Sequence, residues 1–222
     1  MKNNAKYSAA EIFEMFKEEH RLCSPLDFMA CANYELTPDS LIWEWRDARD
    51  LLKWEELSAN LNKQFRIDVS KSEWQVLFEP DDVRTIMDVC DMISDKASRL
   101  AYPKRKLMGQ ECLSASVFLG FKKNLMRNGV NVFDMRPSSL VEPYLLKYFA
   151  PVMEEILFTG TRIFDELNYS TTRIKKPNPN WFEKLFWQRK KVERMDTGNV
   201  KTFRDLVNRI CESEKVLELV VD

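Results

Sequence analysis

One imidazole, five thiols and a scatter of paired carboxylates are the side chains of this sequence with reactive chemistry. His20 is the sole histidine, which removes any two-histidine metal site and most imidazole-based acid–base designs. Cys23, Cys31, Cys90, Cys112 and Cys211 are odd in number, widely spaced and free of any Cys-x-x-Cys. That pattern predicts reduced, mostly buried thiols in a cytoplasmic protein rather than a disulfide framework. No local signal activates any of them toward a Cys–His pair with His20. Glu18-Glu19, Glu55-Glu56, Asp81-Asp82 and Glu154-Glu155 are adjacent pairs whose side chains point in different directions on a helix. They therefore read as solvated faces, not as two-carboxylate sites. The glycines begin only at Gly109, so neither a Gly-x-Gly-x-x-Gly turn nor a P-loop is present. The residues thus predict no catalytic, metal-binding or cofactor-binding constellation, and no enzyme.

The elements that would position these groups are helices. Ser8 with Glu11 three residues on is a capping box, and Ile12, Phe13, Phe16 and Leu22 follow at close to helical spacing over 8–22. After a loop with Pro25 and Thr37-Pro38-Asp39-Ser40, a long helical segment is predicted from about Leu41 to Phe65, with Leu51, Trp54, Leu57, Leu61 and Phe65 three and four apart. Trp43 and Trp45 cannot share a face of it, so one belongs to the core and the other near the surface. Phe65-Arg66-Ile67-Asp68-Val69 alternates as a short extended link. Ser70 or Ser72 caps a short helix through Phe78 that Pro80 stops, and a last helix runs from about Asp82 to Leu100.

The same order recurs downstream, after Tyr102-Pro103-Lys104-Arg105-Lys106 interrupts the helical pattern. A helix over about 112–127 precedes Arg136-Pro137-Ser138-Ser139-Leu140, the counterpart of Thr37-Pro38-Asp39-Ser40-Leu41. Phe65 follows Ser40 at the separation at which Phe164 follows Ser139. Thr85-Ile86-Met87-Asp88-Val89 with Ile93 matches Thr202-Phe203-Arg204-Asp205-Leu206 with Ile210. The expected fold is all-α: two tandem small helical bundles, residues 1–100 and 101–222, the second with an insertion at about 170–195.

The order of helix, Pro-x-Ser-Leu loop, second helix ending in Phe-x-Ile-x-Val, short helix and Thr-x-x-Asp-Leu-x-x-x-Ile resembles the acyl carrier protein family. Asp50-Leu51-Leu52-Lys53-Trp54-Glu55-Glu56-Leu57, followed by Asn62-Lys63-Gln64-Phe65-Arg66-Ile67-Asp68-Val69, resembles that family's prosthetic-group helix and its exit. The likeness covers about 8–97 well and 112–214 in outline. The resemblance implies a serine at the start of the second helix that carries phosphopantetheine. Here Leu51 stands in that place, and Ala150 of Phe149-Ala150-Pro151 stands in it in the second copy. Neither side chain has an oxygen to form the phosphodiester, so the fold is expected without its carrier chemistry. Ser40, Ser138 and Ser139 lie in the loops ahead of the second helices and read as turn and capping residues. Asp39-Ser40-Leu41 is literally Asp-Ser-Leu, and an active carrier modified on Ser40 is the alternative reading.

Charge divides the chain. Residues 1–98 hold 12 basic and 20 acidic side chains, and residues 99–222 hold 22 and 15. The net charge of −1 therefore hides an acidic half followed by a basic one, which suits packing between halves, self-association between copies, or an unknown protein partner. The segment 173–194 concentrates eight basic residues with Trp181, Phe182, Leu185, Phe186 and Trp187. Its first reading is a core-facing helix, on which Trp181, Leu185 and Phe186 share a face, with a solvated basic side. The others are docking to an acidic partner and contact with anionic lipid or nucleic acid; nucleic acid has no motif to support it. No apolar run reaches the roughly 18 residues needed to cross a bilayer, and Met1 to Ala10 lacks the apolar stretch of a secretory signal. The function expected from all this is a non-catalytic acyl-carrier-like protein that works through protein–protein contacts.

Overall fold

The computed structural model describes residues 5–49, 52–174, 190–213 and 216–221. Helix α1 (Ala9–Cys23) starts where expected: the Ser8 side chain accepts from the Glu11 N–H, and the Glu11 carboxylate accepts from the Ser8 N–H in return. The long helix expected from Leu41 to Phe65 is instead two, α2 (Ile42–Asp47) and α3 (Trp54–Phe65). Lys53 ahead of α3 has ψ 138°, a non-helical conformation that starts the second helix afresh. Trp54, Leu57, Leu61 and Phe65 all point into the core from α3. Of the paired tryptophans, Trp45 is buried and Trp43 is exposed. Ser70 caps α4 (Lys71–Phe78) through the same reciprocal pair with Glu73, and α5 (Ile86–Lys96) closes the front half.

The link between halves is not helical. It holds β1 (Tyr102–Pro103), β2 (Lys106–Leu107) and β3 (Gln110–Glu111). The back half follows with α6 (Leu113–Arg127), α7 (Glu142–Lys147), α8 (Phe149–Leu157), β4 (Asn168–Ile174), β5 (Lys190–Asp196), α9 (Phe203–Glu212), α10 (Val216–Leu219) and β6 (Val220–Val221). The fold is therefore mostly helical with several two-stranded sheets, and the all-α expectation is corrected. Two of these sheets are out of reach of local pattern: β1 pairs in parallel with β6 across most of the back half, and β4 pairs with β5 antiparallel, Asn168 opposite Asp196 through Ile174 opposite Lys190. The β-branched pair Thr171-Thr172 suits a strand. Within 173–194, residues 175–189 and the expected helix face of Trp181, Leu185 and Phe186 lie outside the described residues.

One joint is made twice. In the front half Leu41 bridges Thr85, with the Ile42 N–H donating to Arg84 O at 3.0 Å and the Ile86 N–H to Ser40 O at 2.9 Å. In the back half Leu140 bridges Thr202, with the Val141 N–H donating to Lys201 O at 2.9 Å and the Phe203 N–H to Ser139 O at 3.0 Å. The threonine in each starts the last long helix with a capping box, Thr85 with Asp88 and Thr202 with Asp205. In each half that helix packs on the first one, α5 on α1 and α9 on α6.

The halves share one apolar core. Phe65 of the front stands edge-on to Phe158 of the back at 5.4 Å and to Phe16 at 5.8 Å, while Tyr7 stacks on Phe158 at 6.0 Å. The interhalf link is pinned by close approach: a Cβ on Gly120 would sit 2.3 Å from the Tyr102 ring. Tyr102 is fully buried, so the ring has no room to retreat. Gly120→Ala is expected to lower stability by about 1–3 kcal/mol, the range of overpacking in a filled core. Urea denaturation measures it; an unchanged midpoint would show that the link yields.

Candidate functional site: the groove between the halves

The serines of the two loops come first, because each carries a hydroxyl that could take a phosphodiester. Ser40 is 4% exposed. Its Oγ accepts from the Thr37 N–H and from the Tyr34 hydroxyl, both at 2.9 Å, and its own N–H donates to Thr37 O. Ser139 repeats the turn: its Oγ accepts from the Arg136 N–H at 3.0 Å and its N–H donates to Arg136 O at 2.9 Å. Both hydroxyls hold loops closed, as their position after proline suggests. Ser138 is exposed beside the second turn.

Asp50 and Leu51 lie outside the described residues. Their neighbour Leu52 and Ala150 line the same groove, a hollow of about 360 Å³ between α3 and α8. Leu57, Leu61, Met153 and Leu157 form its apolar floor. At the rim Arg49 donates to Glu19 at 2.9 and 3.3 Å, and burial, reinforced by the Glu19 charge, raises the Glu154 carboxyl above its ordinary range. Cys23 also faces the groove, but burial pushes its thiol up to about 12, where it carries no thiolate at neutral pH. The groove thus has apolar surface and paired charges, with no activated nucleophile.

Of the five thiols Cys90 is buried, Cys31 is exposed and Cys23, Cys112 and Cys211 are partly buried, so the expectation of mostly buried thiols is corrected. His20 is buried, with Nδ1 at 2.7 Å from Ser24 Oγ and Nε2 at 3.1 Å from Tyr34 O. Burial lowers its pKa and both nitrogens are occupied, so it orders the loop after α1. Cys112, ahead of α6, has its thiol lowered by hydrogen bonds with the Ser114 hydroxyl and nearby backbone. Among the described residues no group of three or more His, Cys, Asp or Glu could hold a metal ion, and no helix is long and apolar enough to cross a membrane.

One group was misread as a solvated face. Glu155 is fully buried. Its Oε1 accepts from the Tyr102 hydroxyl and from Asn124 Nδ2, both at 2.8 Å, while Oε2 has no partner. Burial raises its pKa to about 7; the two hydrogen bonds and Arg66 oppose the shift, and Glu154 adds to it. On α8 it lies one turn from the buried Val152, and α6 and the link cover it. Glu155 thereby ties the link residue Tyr102 to α6 and α8.

Comparison of the chain with protein-family models, curated proteins and solved structures finds no match.

Proposed function

We propose that this chain is a non-catalytic, acyl-carrier-like protein of two tandem units that acts through protein–protein contacts. The observation that carries the reading is the joint made twice, Leu41 on Thr85 and Leu140 on Thr202, with the same pair of flanking hydrogen bonds. It joins the very segments whose sequences correspond, which favours a duplicated unit. The loss of chemistry rests on Leu51 and Ala150, which have no hydroxyl, and on Ser40, whose Oγ is enclosed in its own turn. Contact function is supported by large apolar side chains held out to solvent. Phe28 is 94% exposed and Phe133 88%, each beside a turn closed by a side-chain oxygen, Asp27 to the Met29 N–H and Asn131 to the Phe133 N–H. Aromatic side chains, phenylalanine among them, are enriched at protein interfaces over the rest of the surface. The partner is a second copy, acidic half to basic half, or another protein of complementary charge. The lipid and nucleic-acid readings of 173–194 depend on residues outside the described ones, and no observation favours them.

Co-expression with a phosphopantetheinyl transferase, read by intact mass, is expected to leave the chain unmodified. A prosthetic mass that disappears on Ser40→Ala would replace this reading with that of an active carrier.

A further inference from the structure

The exit of α3 poses a question that the carrier resemblance does not answer. Arg66 ends that helix at φ 55°, ψ 42°, in the left-handed region. The geometry is required there, because the Ile67 N–H returns to Asn62 O at 3.0 Å and closes the helix end. Glycine is the usual residue at such a position, and a side chain with a Cβ costs about 1 kcal/mol or more. The sequence places an arginine in it.

Arg66 opens onto a recess of about 270 Å³ where the two halves meet, and Arg99 and Arg127 line the same recess. Arg99 is fixed by Glu11, at 2.5 and 2.6 Å, and lies over the Tyr7 ring at 5.2 Å. Arg66 and Arg127 have neither a salt bridge nor a side-chain hydrogen bond among the described residues. Glu154 and Glu155 act electrostatically on Arg66 but do not line the recess. Among the described residues no acidic one lines it, and Gln64, Ser98 and Asn124 add neutral polar groups. A single exposed arginine at a helix end has a sufficient explanation in the helix dipole. Two guanidiniums without a salt bridge among the described residues, brought from opposite halves to the wall of one recess and one of them from a strained backbone position, do not.

We propose that this recess binds a phosphomonoester dianion carried by a small metabolite. Two guanidiniums without a salt bridge among the described residues match a dianion rather than a lone carboxylate, and guanidinium forks fit phosphate oxygens with paired hydrogen bonds. The concavity favours a soluble ligand over a flat bilayer surface. The site does not depend on the acyl-carrier reading, and it stands or falls separately from it.

The test is calorimetric titration of the full chain with phenyl phosphate. Saturable one-to-one binding is expected, weakened about tenfold by Arg66→Gly and by Arg127→Gln, the loss of one charge-assisted contact each. Arg204→Gln, which removes a charge remote from the recess, is expected to leave it unchanged. Arg66→Gly is also expected to keep or raise the melting temperature, since glycine suits the left-handed position; weaker binding in a chain at least as stable separates a ligand contact from a structural one. Should Arg66→Gly fail to fold, Arg127→Gln decides alone. The proposal is overturned by absent or non-saturable binding, or by equal loss in Arg204→Gln. Binding to phosphatidic acid vesicles without binding to phenyl phosphate would likewise overturn it.

Discussion

Phe65→Ala is expected to destabilise the whole chain by about 3–5 kcal/mol, the range for deleting a buried aromatic ring. Phe65 is 4% exposed and stands edge-on both to Phe16 in its own half and to Phe158 in the other. The cavity would open at the seam, where α1, α3 and the end of α8 converge. Because the core is continuous across that seam, the loss is expected to fall on both halves at once, as one transition shifted to lower denaturant with its steepness unchanged. Chemical denaturation followed by circular dichroism and by hydrogen exchange of α9 reads the two halves in parallel. If α9 keeps its protection while the front half melts, the halves are independent domains and the shared core has no energetic meaning.

Between about pH 4.5 and pH 7 the wild-type chain is expected to lose stability that Glu155→Gln keeps. The folded carboxyl titrates at about 7 against an ordinary 4.5, chiefly because burial disfavours its charge. A pKa raised by folding means that the folded state holds its proton more tightly. The stabilising contribution is therefore complete below about pH 4.5 and declines as pH rises through about 7. The full span is on the order of 3 kcal/mol. Tyr102, Arg66 and Glu154 are the other titratable groups that act on it, and Glu155 in turn acts on Tyr7; both tyrosines are themselves raised by burial, so neither ionises in that window. Glutamine keeps an acceptor for Tyr102 and Asn124 and cannot ionise. Urea unfolding from pH 5 to pH 8.5 should show the two proteins diverging, with the variant the more stable at the alkaline end. Parallel curves would show that water reaches Oε2 and that the carboxyl is not the buried acid its surroundings indicate.

Much of the local structure was legible in the sequence because its causes act over three or four residues. Ser8 with Glu11, Ser70 with Glu73, Thr85 with Asp88 and Thr202 with Asp205 each satisfy the free N–H groups of a helix start, wherever the helix later packs. The same holds for Trp54, Leu57, Leu61 and Phe65, whose spacing defines a buried face before any partner is known. The correspondence of Pro38-Asp39-Ser40-Leu41 with Pro137-Ser138-Ser139-Leu140, too, was visible as spelling. The break between α2 and α3 was not, since the apolar spacing ran across it without interruption.

What the tertiary structure alone decided is which distant residues meet. The pairing of β1 with β6 needs hydrogen bonds between the link and the far end of the back half, and no periodicity within either strand announces it. Glu155 reads as half of a solvated acidic pair until α6 and the link cover it and remove its water, which raises its pKa and costs stability. Arg66 and Arg127 are ordinary helix-end arginines in sequence; their convergence exists only because the two halves pack with the exits of α3 and α6 facing one recess. Capping and periodicity are settled by neighbours along the chain. Desolvation and the summation of charge depend on what lies within a few ångströms in space, which only the folded chain fixes.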